Sequence, residues 1–158
     1  MKKMLTIIGC GNSNRTDDGA GVYVAQQLQN FLHEQPKENV KIFDAGTGGI
    51  EVMFQARGAS RLIIIDAGQT GSEAGAIYEV PGKELERERE VSYSLHDFRW
   101  DDALFSGRKI FKDDFPKDVS VFLIEAESLD YGLELRPKVK SAADKVIERL
   151  RKIISEYV

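Results

Sequence analysis

The sequence predicts an α/β protein: a three-layer α/β/α sandwich built on a five-stranded, mostly parallel sheet with one antiparallel edge strand. Three observations carry this reading. Short, continuous apolar runs alternate along the chain with segments of helical periodicity, as in βαβ units. The first run breaks into glycines and opens directly into a helix. The link after the third run is too short for a parallel crossover, which takes a dozen or more residues.

The elements follow in order. Met4 to Ile8 is a buried parallel strand, and Gly9 and Gly11 form a tight strand-to-helix turn. From Gly19 a helix begins whose apolar face is Val22, Ala25, Leu28 and Leu32. Val40 to Asp44 is a second strand, ending in AGTGG and followed by a short helix over Ile50 to Arg57. Arg61 to Asp66 (RLIIID) is a continuous β-branched run of the kind buried on both faces. Gly75 to Val80 is the fourth strand, antiparallel because its link is short, and Val119 to Ile124 is the fifth. The charged stretch Glu84 to Glu90 carries the chain back across the sheet and reads as solvent-exposed. Phe98 to Phe105 belongs to another helix. The last helix opens near Pro137, a favoured first-turn residue, with a core stripe of Val139, Ala143, Val146, Leu150, Ile153 and Tyr157.

Bulk composition narrows the function. A chain of 158 residues fits one domain with a self-sufficient core. A net charge of −4 argues against general binding to nucleic acid or to an anionic membrane. No apolar run approaches the ~20 residues of a membrane span. Lys2-Lys3 followed by MLTIIGC imitates a lipoprotein signal, but the apolar stretch is shorter than the ~7–15 residues of a signal core. The single cysteine, Cys10, forms no internal disulfide and fits a reducing cytoplasm. At a strand end it reads as a small buried hydrophobe rather than a nucleophile.

The most informative stretch is GCGNSNRTDDGAG, residues 9 to 21. A strand, a glycine turn and a helix commonly bind a dinucleotide, but the third glycine of that fingerprint falls at Asn14. A phosphate at this helix terminus would also meet Asp17 and Asp18. Carboxylates suit a cation there, or a helix cap. In open α/β sheets ligands sit beyond the C-terminal ends of the parallel strands. Asp18, Asp66 and His96 are eligible for that crevice, with Asp44 a fourth candidate. A carboxylate ending an apolar strand is poorly explained by packing, since buried charges need partners. Two carboxylates and one imidazole suit a borderline divalent ion. Asp17 is expected to point away or cap the helix, because adjacent ionised carboxylates repel. His33, at the polar end of the first helix, reads as a surface residue, and Ser94 as structural.

The combination GCGNSNRTDDGAG, DAGTGGIE, LIIIDAG, SLH and AESLDYGLELRPKV resembles the hydrogenase maturation endopeptidases, in order and over nearly the whole chain. The resemblance implies a phosphorylase/hydrolase-like sandwich with a mixed sheet, as one domain over residues 1–158. It implies an endopeptidase that removes the C-terminal extension of a nickel–iron hydrogenase large-subunit precursor after nickel insertion. Asp18, Asp66 and His96 match the family's metal-contacting, catalytic positions. Asp44, Gly46, Thr47 and Gly49 match its D-x-G-T-x-G element and are read as lining the substrate cleft. It further implies no tightly bound cofactor, the nickel being supplied by the substrate, with Ni²⁺ or Cd²⁺ binding on soaking. A cytoplasmic monomer acting on the hydrogenase precursor is expected. Ser13, Arg15 and the charged DFRWDDALF segment depart from the pattern. The rivals are a non-catalytic nickel-binding or assembly protein and a metal-dependent hydrolase of small substrates on the same fold.

Overall fold

The computed structural model of the chain describes residues 3–86 and 98–157. His96, Ser94 and the last four residues of the Glu84–Glu90 stretch lie outside the described residues. The elements run β1 (Leu5–Cys10), α1 (Ala20–Glu34), β2 (Val40–Gly46), α2 (Gly49–Ala56), β3 (Arg61–Gly68), β4 (Ile77–Pro81), α3 (Trp100–Phe111), β5 (Asp118–Glu125) and α4 (Pro137–Ser155). They form a five-stranded sheet in the order β2-β1-β3-β5-β4. β1 pairs in parallel with β2 and β3, and β3 in parallel with β5. β4 is the antiparallel edge strand, as its short link requires, but it pairs with β5 rather than with its sequence neighbour β3. The link therefore passes the end of β5 before the chain turns back.

Alternating side chains divide the core between the two faces of the sheet. Ile7, Ile63, Ile65 and Ile124 pack with Val24 and Leu28 of α1 and Val139, Val146 and Leu150 of α4. Ile8, Leu62, Ile64 and Val121 pack with Val52 and Met53 of α2 and Trp100 and Leu104 of α3. These are the three layers. The α4 stripe is buried from Val139 to Ile153, with Tyr157 partly buried against it. Leu32 of α1 is also only partly buried, and His33 is exposed.

Several boundaries differ from the expectation for a physical reason. Gly9 is not a turn residue but the penultimate residue of β1. A Cβ on Gly9 would lie 2.1 Å from the Gly21 carbonyl oxygen, and one on Gly21 would lie 2.3 Å from that of Ile65. Two missing side chains thus let α1 press directly on β1 and β3, the close packing that the absent third fingerprint glycine would otherwise supply. Gly11 alone makes the turn, at φ +130°. β3 runs two residues past Asp66, paired with β5 as far as Glu125. The aspartate thus sits within the strand and not at its tip. β4 begins at Ile77 because Gly75, at φ +84°, belongs to the turn before it. In the charged stretch Glu84 is exposed, whereas Glu86 accepts a 2.7 Å hydrogen bond from Arg108 Nε of α3.

Candidate active site

The chain passes from β1 through α1 to β2 on one side of it, then returns through α2 to β3 on the other side. That switch point opens a crevice at the strands' C-terminal ends. A cleft of about 410 Å³ occupies it. Asp18 and Asp66 both line it, with Gly46, Thr47 and Gly49 on the β2–α2 side. Asp44 does not line it. Its exposed side chain accepts a 3.0 Å bond from the Gly46 N–H and faces a neighbouring depression.

Asp17 and Asp18, adjacent in sequence, point to different places. Asp17 is fully buried beneath the loop after β5. Its Oδ2 accepts the N–H groups of Glu127 (2.8 Å) and Ser128 (2.9 Å), and its Oδ1 that of Arg136 (2.8 Å). Asp17 does not cap α1, whose N-cap residue is Gly19. It clamps a loop that Thr16 and Asn14 also hold, through 2.8 and 2.9 Å backbone bonds with Gly132. Asp18 is half-buried at the cleft, where its Oδ2 accepts the Asn12 N–H at 3.0 Å.

Asp66 is 2% exposed. Its Oδ1 accepts the Ala67 N–H at 2.8 Å, and its Oδ2 accepts Trp100 Nε1 at 2.8 Å and Arg99 Nη2 at 3.3 Å. Burial nevertheless dominates and raises its pKa from 3.8 to about 7, with the Asp18 charge adding to the rise. The indole N–H, the guanidinium and the Ala67 amide oppose it by favouring the ionised form. At neutral pH Asp66 is therefore able to hold a proton. Cys10 also lines the cleft, but burial first and then the Asp66 charge raise its thiol pKa well above the ordinary range, which suits an inert neutral thiol.

Arg99 and Trp100 are the site residues that the sequence reading missed. Their approach depends on Gly49, where a Cβ would lie 2.4 Å from the Phe98 carbonyl oxygen. The close backbone approach that this glycine permits is made by the chain's own 98–99 segment, not by a ligand. Asp102 then accepts the Arg99 N–H at 2.9 Å and fixes the start of α3. A signal existed: the chain's one tryptophan lies four residues after the histidine of the SLH motif, and a buried indole N–H needs an acceptor. Among the described residues, no three His, Cys, Asp or Glu side chains are grouped to hold a metal ion.

With this geometry in view, comparison with known proteins is decisive. Residues 22–153 match the family model for hydrogenase maturation proteases. The chain belongs to that family. It is 28% identical over 155 residues to the hydrogenase expression/formation protein HupD of Thiocapsa roseopersicina, covering 97% of this chain and 68% of that one. It is 27% identical over 154 residues to the hydrogenase 2 maturation protease of Escherichia coli K12, covering 96% and 91%. The solved structure of the hydrogenase maturating endopeptidase HybD from E. coli superimposes with a TM-score of 0.77 at 26% identity, over 97% of this chain and 93% of that one. The family is one of peptidases, so this protein is a hydrogenase maturation endopeptidase, and its mixed sheet is the architecture of its structural relatives.

Proposed function

We propose that this protease removes the C-terminal extension of a nickel–iron hydrogenase large-subunit precursor, and that nickel already seated in the precursor is what it recognises. The observation that carries the reading is the state of Asp66, a buried carboxylate that shares the cleft with Asp18 and is already balanced by Arg99. Two carboxylates fit a divalent ion, and one lone pair of Asp66 Oδ1 remains beyond its bond to Ala67. With a cation already at Oδ2, the site competes weakly for dissolved metal. Nickel presented by a bound precursor arrives at high effective concentration and overcomes that competition. Asp18, Asp66 and His96 are assigned to this contact and to the hydrolytic chemistry. Gly46 and Thr47, with Asp44 beside them, are assigned to the substrate backbone, whereas the backbone at Gly49 is taken up by the chain's own Phe98.

Holding the metal-bearing segment against Asp18 and Asp66 fixes the adjoining peptide bond, which removes much of the entropy cost of attack by water. A carboxyl near pKa 7 suits proton transfer at neutral pH. The test is to incubate the protein with nickel-loaded and nickel-free precursor and to weigh the products by mass spectrometry. Shortening of the loaded form only is the expected result, with Asp18→Ala inactive. Equal cleavage of both forms, or stoichiometric metal in the purified protein, overturns nickel recognition. A stable complex with no shortening favours a non-cutting assembly role instead.

A further inference from the structure

The active cleft is the first of three adjoining depressions. It shares Gly11, Gly46 and Thr47 with a second hollow of about 290 Å³, which shares Ser13 and Val22 with a third of about 490 Å³. The saddle between the first two is mostly bare backbone. Nothing lies within 4 Å of where a Gly46 side chain would begin, so the space above it is open. The third hollow is apolar in part, lined by Val22, Tyr23, Leu133 and Leu135, with Gln26 and the carboxylate of Glu134 on its polar side. Leu133 is 81% exposed at its rim, on a fixed backbone. Fixed it is, because Asp17 and Thr16 pin the segment on either side of it through Arg136 and Gly132. The cation beside the hollow, Lys140, is paired with Asp144 at 3.4 Å, and Asp144 also accepts the Tyr23 hydroxyl at 2.7 Å.

A path over glycine backbone, ending in a partly apolar hollow whose lysine is paired with Asp144, matches an extended peptide with an apolar side chain at its far end. We propose that the precursor's C-terminal tail leaves the Asp18–Asp66 cleft over the Gly46 saddle, and that Val22, Tyr23 and Leu133 form a subsite for an apolar tail residue. This rests on the endopeptidase reading. It adds the direction in which the tail runs and a determinant of specificity remote from the scissile bond.

The test measures kcat and KM for processing of nickel-loaded precursor by the wild-type protein, Leu133→Ser and Leu133→Met, against the native tail and against tails with each apolar residue changed to serine. Leu133 is exposed, so neither substitution threatens the fold. On the native tail Leu133→Ser should lower kcat/KM about tenfold, through KM, and Leu133→Met should restore it. For one tail position the serine change should lower wild-type kcat/KM alike yet cost nothing further in Leu133→Ser, the non-additivity expected of contacting residues. Unchanged kcat/KM in Leu133→Ser, or additive losses at every tail position, overturns the subsite. Failure of the wild-type protein to shorten any precursor overturns the endopeptidase reading instead.

Discussion

Replacing Asp66 by asparagine should stabilise the protein at pH 8 and leave it nearly unchanged at pH 5. The folded pKa is about 7 against 3.8 unfolded, and the group is 2% exposed, so solvent screening is slight. Between those values the folded state holds a proton that the unfolded state has released. Stability must therefore fall as pH rises from about 4 to about 7 and then level off. At ~1.36 kcal/mol per unit the full penalty is roughly 4 kcal/mol above pH 7, and about 1.5 kcal/mol of it is already present at pH 5. Asparagine removes the titration but sets an amide donor against the Trp100 and Arg99 donors, or against Ala67 if flipped, at about 1–3 kcal/mol. The variant should thus be more stable than wild type by about 1–3 kcal/mol at pH 8 and within about 1.5 kcal/mol of it at pH 5. Urea unfolding of both proteins at several pH values reads this directly, because subtracting the curves cancels every other titrating group. A difference that does not change with pH, or that grows toward acid, refutes the buried-carboxyl account.

Trp100→Phe removes a donor that favours ionised Asp66, so it should extend the falling limb of stability above pH 7 and cost about 1.5–3 kcal/mol at pH 8, less at pH 5, in the same unfolding assay. Asp17→Ala leaves three backbone N–H groups without their carboxylate acceptor and should cost about 2–3 kcal/mol, with hydrogen exchange at Glu127, Ser128 and Arg136 rising well before exchange in β1 and β3. Gly21→Ala drives a methyl to 2.3 Å from the Ile65 carbonyl oxygen and 2.4 Å from that of Cys10, so α1 must lift from the sheet. A loss of about 1–3 kcal/mol, seen as a lower thermal midpoint, is expected.

Much of the architecture was legible because strand and helix periods differ and because a short link forbids a parallel crossover. The mixed sheet and the outward-facing His33 follow from those facts alone. The insertion of β5 between β3 and β4 was not legible, since sequence spacing fixes strand direction but not which neighbour a strand joins. Asp18 and Asp66 could be paired by topology, as one follows β1 and the other lies near the C-terminal end of β3, on either side of the switch point. Asp17 could be set apart only by electrostatic repulsion. Its partners, three amides more than a hundred residues away, are backbone groups that carry no side-chain signature. Arg99 and Trp100 were hidden for a similar reason: their role depends on a backbone contact at Gly49 that no local pattern announces.

Asp17 and Asp66 put buried charge to opposite uses. Asp17 has three amide donors on its two oxygens and ties a distant loop to the turn that carries Asp18. Asp66 has three donors as well, yet burial still lifts its pKa by about three units, so ionising it costs the folded state free energy. A residue kept for packing would not carry that cost, since a neutral or apolar side chain in its place would remove it. Retention of such a penalty at the switch point of the sheet, beside a second carboxylate, fits a group selected for what it does to a ligand. Asp66→Asn should accordingly be the more stable protein at neutral pH and the one that fails to process its precursor. A variant that gained stability and kept full processing would remove Asp66 from the chemistry while leaving its electrostatics intact.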